Sequence, residues 1–173
     1  LVFLAWAKDR RIILCNFHDK SFKMKSLFNT QAHEEILSRI DKLLDSSEGQ
    51  WGKMRVAQML HHCQYPLKIS LGRYNPNNKP NLMLKLMGKL FKKSLYNDRP
   101  WRQNLPTAKA LKVVEDKNFV DEKKALIVLI NDFHKEKDRK EWDPHPAFGT
   151  FTPEQWGQMQ YKHLDHHLRQ FNV

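Results

Sequence analysis

A chain of 173 residues with 40% hydrophobic content is long enough to bury a real core, and its apolar spacing is too regular for disorder. Thirty basic against nineteen acidic residues give a formal charge of +11, but the cations are spread along the chain with no nucleic-acid recognition motif beside them, which disfavours nucleic acid as the partner. Two cysteines without paired spacing, Cys15 and Cys63, argue against a disulfide scaffold and fit a reducing cytoplasm, and no apolar run reaches the ~18 residues of a membrane span.

Residues 1 to 23 show no cap and no sustained helical period. Leu1 to Ala7 followed by Lys8, Arg10 and Arg11 has its charge on the wrong side for a signal peptide. Met24 is therefore the expected natural start, with residues 1–23 an extension outside the core and residues 24–173 the expected domain.

From Asn29 or Thr30, either of which can cap, the pattern Ile36, Leu37, Ile40, Leu43, Leu44 predicts a helix closed by Gly49. A second helix is predicted from about Trp51 to Met54, carrying Val56, Met59, Leu60, Cys63 and Leu67, with a kink at Pro66 because proline cannot donate to the carbonyl of His62. Asn75 to Pro80 reads as a loop, and Leu82 to Phe91 as a short helix with Lys85, Lys89, Lys92 and Lys93 on a solvated face. The stretch from Tyr96 to Thr107 is too rich in turn formers to be regular. A helix over about Asp121 to Lys137 is apolar enough, through Ala125, Leu126, Val128, Leu129, Ile130 and Phe133, to be largely buried. Asp143-Pro-His-Pro146 and Gly149 break the chain before a last helix, with Thr152 as N-cap, Pro153 at the first helical position and Glu154 suiting the dipole. Four or five helices, no strand and no internal repeat predict an all-α fold, a four-helix bundle with one or two longer crossovers.

Three of nine histidines lie in the last helix. With His163 at zero on a wheel of about 100° per residue, His167 falls near 40° and His166 near −60°, while the apolar face centres near 70–80°. His163 and His167 thus border the core, and His166 points away. In the second helix the apolar face centres about 100° from His62, which borders it, whereas His61 lies almost opposite. His62, His163 and His167 are the candidate ligands of one ion, since imidazoles at i and i+4 on a helix reach one metal and the third comes from a facing helix. A core-edge histidine is as readily explained by a hydrogen bond to a carbonyl, so the convergence of three carries the reading. His18, His33, His134 and His145 read as surface, with His145 kept in reserve as a loop histidine that lines a site mouth.

Met59-Leu-His-His-Cys63, Asn104-Leu-Pro-Thr107, His145-Pro-Ala-Phe-Gly149 and Trp156-Gly-Gln-Met-Gln-Tyr-Lys-His-Leu-Asp-His-His-Leu-Arg-Gln-Phe171 together resemble the DinB-like (YfiT-like) superfamily of metalloenzymes, in particular a small bacterial branch without an assigned reaction. The resemblance covers about residues 24–173. It implies a four-helix bundle of DinB/YfiT-like type with a divalent metal on one histidine of the second helix and two of the last, which by position are His62, His163 and His167. Characterised relatives include transferases and isomerases that act on small molecules with low-molecular-weight thiols, often as homodimers.

The expected function is a metal-dependent enzyme, a thiol transferase or a hydrolase, with zinc or nickel by ligand softness and with a low-molecular-weight thiol as the cosubstrate the resemblance admits. Asp165, about 200° from His163, is expected to face solvent, so no general base is assigned; Gln170, near −20°, is placed to orient a ligand. A non-catalytic metal-containing protein that binds a small molecule, or a stress protein, is the alternative.

Overall fold

The first helix, α1 (Thr30–Asp41), starts where the Asn29 backbone is extended and its side chain accepts a hydrogen bond from Ala32 N at 3.2 Å. The computed structural model describes residues 24–76, 88 and 91–173. α1 buries Ala32, Ile36 and Ile40 and stops well before Gly49. The short polar side chains that follow compete for the backbone: Ser47 Oγ accepts from Leu44 N at 2.9 Å, so Leu43 still enters the core while Leu44 turns out, 63% exposed.

The second helix, α2 (Val56–Ser70), begins later than expected because Gly52, at φ +82°, holds the preceding chain out of helical geometry. Gln58 Oε1 accepts from Arg55 N at 2.9 Å at its start, and the helix runs through Pro66 to Ser70. Between α2 and the helix that starts at Phe119, the described residues include Gly88 and Phe91, both helical, and two 3-10 turns, Lys92–Leu95 and Lys109–Leu111. The predicted helix over Leu82 to Phe91 falls outside the described residues except at Gly88 and Phe91, and the extension over residues 1–23 falls outside them entirely.

Helix α3 (Phe119–Lys135) is capped by the Asn118 side chain, which accepts from Asp121 N at 3.0 Å. It is not largely buried. Only Leu126, Leu129, Ile130 and Phe133 are, because α3 packs on one side against α2 and α1 and leaves Val120 and Val128 68% and 49% exposed. The last helix, α4 (Pro153–Gln170), opens with a reciprocal cap in which Thr152 Oγ1 accepts from Gln155 N at 3.2 Å and Gln155 Oε1 accepts from Thr152 N at 3.0 Å. α2 and α4 each bury eleven residues, against four on α3.

α4 packs on α1 and α2, and α3 packs on the other sides of the same two helices, so α3 and α4 stand diagonally opposite in a ring of four. The shared interior holds Trp156, Phe133, Leu60, Leu67, Ile36, Ile40 and Leu164 at 0–1% exposure. Segment 26–28 crosses α4 at Gly157, whose carbonyl accepts from Leu27 N at 2.9 Å; a Cβ there would meet Ser26 Oγ and the Phe28 ring. Among the described residues there is no strand, only a lone antiparallel bridge between His145 and Gly149, and no helix is long and apolar enough to cross a membrane.

Candidate metal centre

Four residues along an α-helix advance by about 40° past a full turn, so His163 and His167 leave α4 on one side, and that side faces His62 on α2. The three rings form a near-equilateral triangle, with centroids 5.1 Å apart for His62–His163, 4.9 Å for His62–His167 and 4.7 Å for His163–His167. One ring nitrogen from each lies within 4.8 Å of the other two, and all three side chains are buried, at 5%, 9% and 7% exposure for His62, His163 and His167.

Hydrogen bonds decide where the protons sit on two of the rings. His62 Nδ1 is 3.0 Å from Leu111 O, and a carbonyl only accepts, so Nδ1 carries the hydrogen and Nε2 turns its lone pair inward. His167 Nδ1 is 2.9 Å from Gln170 Oε1, and the Gln170 amide is oriented by its own Nε2 donating to Trp51 O at 2.6 Å. His167 therefore also presents Nε2 as a lone pair. Gly52 makes this arrangement feasible, since a Cβ there would stand 2.7 Å from Gln170 Nε2. His163 Nε2 lies 3.3 Å from His62 Nε2, and its Nδ1 is buried without a partner.

Burial pushes all three imidazoles toward the neutral form. His167 falls to about 3, by burial first and then the neighbouring His62; His163 goes well below the usual histidine value, by burial and then His167; His62 is lowered by burial against the opposing bond to Leu111. Neutral nitrogens are what a metal requires of histidine. Two nitrogens on a tetrahedral ion with bonds of about 2.0–2.1 Å stand about 3.3–3.4 Å apart, close to the 3.3 Å between His62 and His163 Nε2. The residues fit a divalent cation: lone pairs converge on a buried point, and two of the rings are held from behind by oxygen acceptors.

The remaining histidines go elsewhere. His166 stays out of the triad, half-buried beside His167 and between Trp51 and Trp101 at 5.8 and 5.6 Å. His61 Nδ1 pairs with Glu122 Oε2 at 2.9 Å. His33 and His134 are more than surface residues: their rings stack at 4.1 Å, with His33 Nε2 at 2.9 Å from Asn131 Oδ1 and His134 Nδ1 donating to Leu27 O at 2.8 Å. His145 does not line the site mouth. Its Nδ1 accepts from Ala147 N and Phe148 N, its ring packs on Trp156 about two turns along α4 from the triad, and burial lowers it to about 4. His18 lies outside the described residues. Asp165 is not solvated as expected, because Oδ1 sits 2.7 Å from Arg39 Nη1 and Oδ2 2.9 Å from Arg169 Nε.

Two features around the triad escape helical periodicity. Lys162 is 5% exposed and spends its three donors on Ser94 O, Asn97 O and Asn97 Oδ1 at 2.7, 2.9 and 2.6 Å; burial brings its pKa down to about 8. That anchorage lays the turn-rich loop across α4 and sets Trp101 6.0 Å from His163. A tryptophan in a stretch otherwise made of turn formers was the available signal.

The family described as Protein of unknown function (DUF1569) matches residues 23–173. No curated protein and no solved structure matches the chain.

Proposed function

The chain belongs to the DUF1569 family, and we propose that it is a metal-dependent enzyme of DinB-like type in which His62, His163 and His167 hold one divalent ion, zinc or nickel, and act on a small molecule as a thiol transferase or hydrolase. The observation that supports this most directly is the buried convergence of three neutral imidazoles, two of them with their outer nitrogen already bonded to an oxygen. When bound, a divalent ion with three imidazole ligands and an open position acts as a Lewis acid and lowers the pKa of a water or thiol that reaches it. The chain's own part is positional: Leu111 O and Gln170 Oε1 keep hydrogens on the outer nitrogens of His62 and His167, and the apolar packing of α2 against α4 excludes bulk water.

A second reading has an observation in its favour. No carboxylate stands at the triad among the described residues, since Asp165 is held by Arg39 and Arg169. A non-catalytic metal-containing binding or stress protein would need none.

Metal content after purification tests the site. His163→Ala should lose the ion and His166→Ala should keep it; equal content in both removes the site. A screen of zinc-, nickel- and manganese-loaded protein against electrophiles with several low-molecular-weight thiols, and against esters, separates the two functions. Turnover lost in His167→Ala supports the enzyme, whereas tight ligand binding with no turnover under any metal supports the binding protein.

A further inference from the structure

Beside the triad a cleft of about 190 Å3 opens, lined by Trp51, Trp101, Lys162, Asp165, His166 and Arg169 among others. It abuts the centre through Trp101, 6.0 Å from His163, and through His166, 5.2 Å from His167. Both indoles stay half-exposed although they are the largest apolar side chains available for burial. The Trp51 main chain and the Trp101 indole are both anchored from α4. Trp51 O receives Gln170 Nε2 at 2.6 Å, while Trp101 Nε1 donates at 2.8 Å to Ser94 O, the carbonyl that Lys162 Nζ also grips at 2.7 Å. Rigid aromatic walls with a few fixed charges are the usual make-up of a small-molecule site.

The charges select the ligand's sign. Asp165 is the only acid on the lining, and both its oxygens are engaged, by Arg39 and Arg169. Lys162 and Arg169 are the cations, and among the described residues only Nε of Arg169 has a partner, which leaves its two terminal nitrogens as a fork for a carboxylate. A cationic ligand would meet two positive side chains and no free carboxylate. The volume selects the size: a cavity of about 150 Å3 holds benzene, so the cleft accommodates one six-membered ring with a small substituent.

We propose that this cleft is the subsite for a single-ring aromatic carboxylate, with the ring against the Trp101 indole and the carboxylate on Arg169. The proposal deepens the reading of the triad as an enzyme centre and rests on it for the ligand's role as substrate, while the binding itself does not depend on the metal. The ring nitrogens of His166 make no hydrogen bond among the described residues, which leaves them to a ring substituent.

The test is calorimetric titration of benzoate, benzamide and cyclohexanecarboxylate into the full chain, metal-free and zinc-loaded. Benzoate should bind both forms, at least tenfold more tightly than either analogue. Trp101→Leu and Arg169→Gln should each weaken it tenfold or more, and Trp101→Phe should stay within a few-fold, which shows that a loss in the leucine variant is not a folding defect; circular dichroism checks each fold. Equal binding of benzoate and benzamide, or unchanged binding in Arg169→Gln, overturns the proposal. So does binding that requires zinc and survives both Trp101→Leu and Arg169→Gln, since the ligand would then sit on the ion alone. Benzoate selectivity in a protein that takes up no metal leaves the cleft standing and removes the metal reading. Metal uptake without that selectivity does the reverse.

Discussion

Replacing Gln170 by leucine isolates what holds His167 in the tautomer that the proposed metal site requires. Leucine has nearly the same bulk at this position, which is 3% exposed, but removes the acceptor 2.9 Å from His167 Nδ1 and the donor 2.6 Å from Trp51 O. With an ion on Nε2 the hydrogen must stay on Nδ1, where it would be a buried donor without a partner, at a cost of about 1–3 kcal/mol. That equals a loss of roughly 5- to 150-fold in affinity, in agreement with the ~10–100-fold typical of losing a ligand's outer hydrogen bond. The metal-free protein escapes most of this penalty, because the hydrogen can move to Nε2 and face the other two imidazoles. Its stability should fall by only about 1 kcal/mol, for the lost bond to Trp51 O. Gln170→Glu keeps an acceptor for His167 but turns an oxygen toward Trp51 O, so it should hold metal within tenfold of the parent while its metal-free form is weakened. Competition against a chromophoric zinc chelator measures the affinities, and urea unfolding of the metal-free proteins measures the stabilities. If Gln170→Leu binds zinc within twofold of the parent while its unfolding midpoint drops, His167 does not ligate through Nε2 and the assignment fails.

The three buried histidines also set an acid limit: their folded pKa values lie below the unfolded value of about 6.5, with His167 near 3, so the unfolded chain takes protons first. Metal-free protein should hold this share of its stability above about pH 7 and lose it as pH falls from about 6.5, by up to roughly 1.4 kcal/mol per unit per histidine; equal urea midpoints at pH 7.5 and 5 would contradict this. Gly157→Ala should destabilise by about 1–3 kcal/mol through overpacking against Ser26 and Phe28, despite alanine's better helix propensity, and a rise in thermal midpoint would show that segment 26–28 does not cross α4 as described. Leu126→Ala, at 1% exposure, should cost about 2–5 kcal/mol, whereas Val128→Ala, at 49%, should cost well under half as much; similar losses would mean that α3 is buried on both sides.

Residues on one helix have their relative directions fixed by backbone geometry alone, which is why the triad could be read from a wheel. Thr152 and Pro153 set where α4 begins, and a rotation of about 40° puts His163 and His167 on one flank, with His62 chosen by the same rule on α2. The direction of Gln170 followed from that periodicity too, and its side chain does reach His167. Periodicity failed where the neighbour decides. The apolar count of α3 suggested that it is largely buried, but burial depends on how many sides are covered, and α3 leaves the side of Val120 and Val128 open. Gly49 looked like a helix stop, yet Ser47 captured the backbone first. His145 was judged from its flanking prolines and Asp165 from its angle on the wheel, whereas Trp156 and Arg39, the latter 126 residues from Asp165, hold them. The acceptor that fixes the proton on His62 belongs to Leu111, 49 residues away, and the wall over His163 is brought by a loop that Lys162 anchors. A carbonyl's position depends on the path of the whole chain, so no local pattern announces it. The directions of the three imidazoles were therefore a property of two helices taken singly, while the protonation state of the rings and the cleft beside them came into being only when those helices and the crossover met.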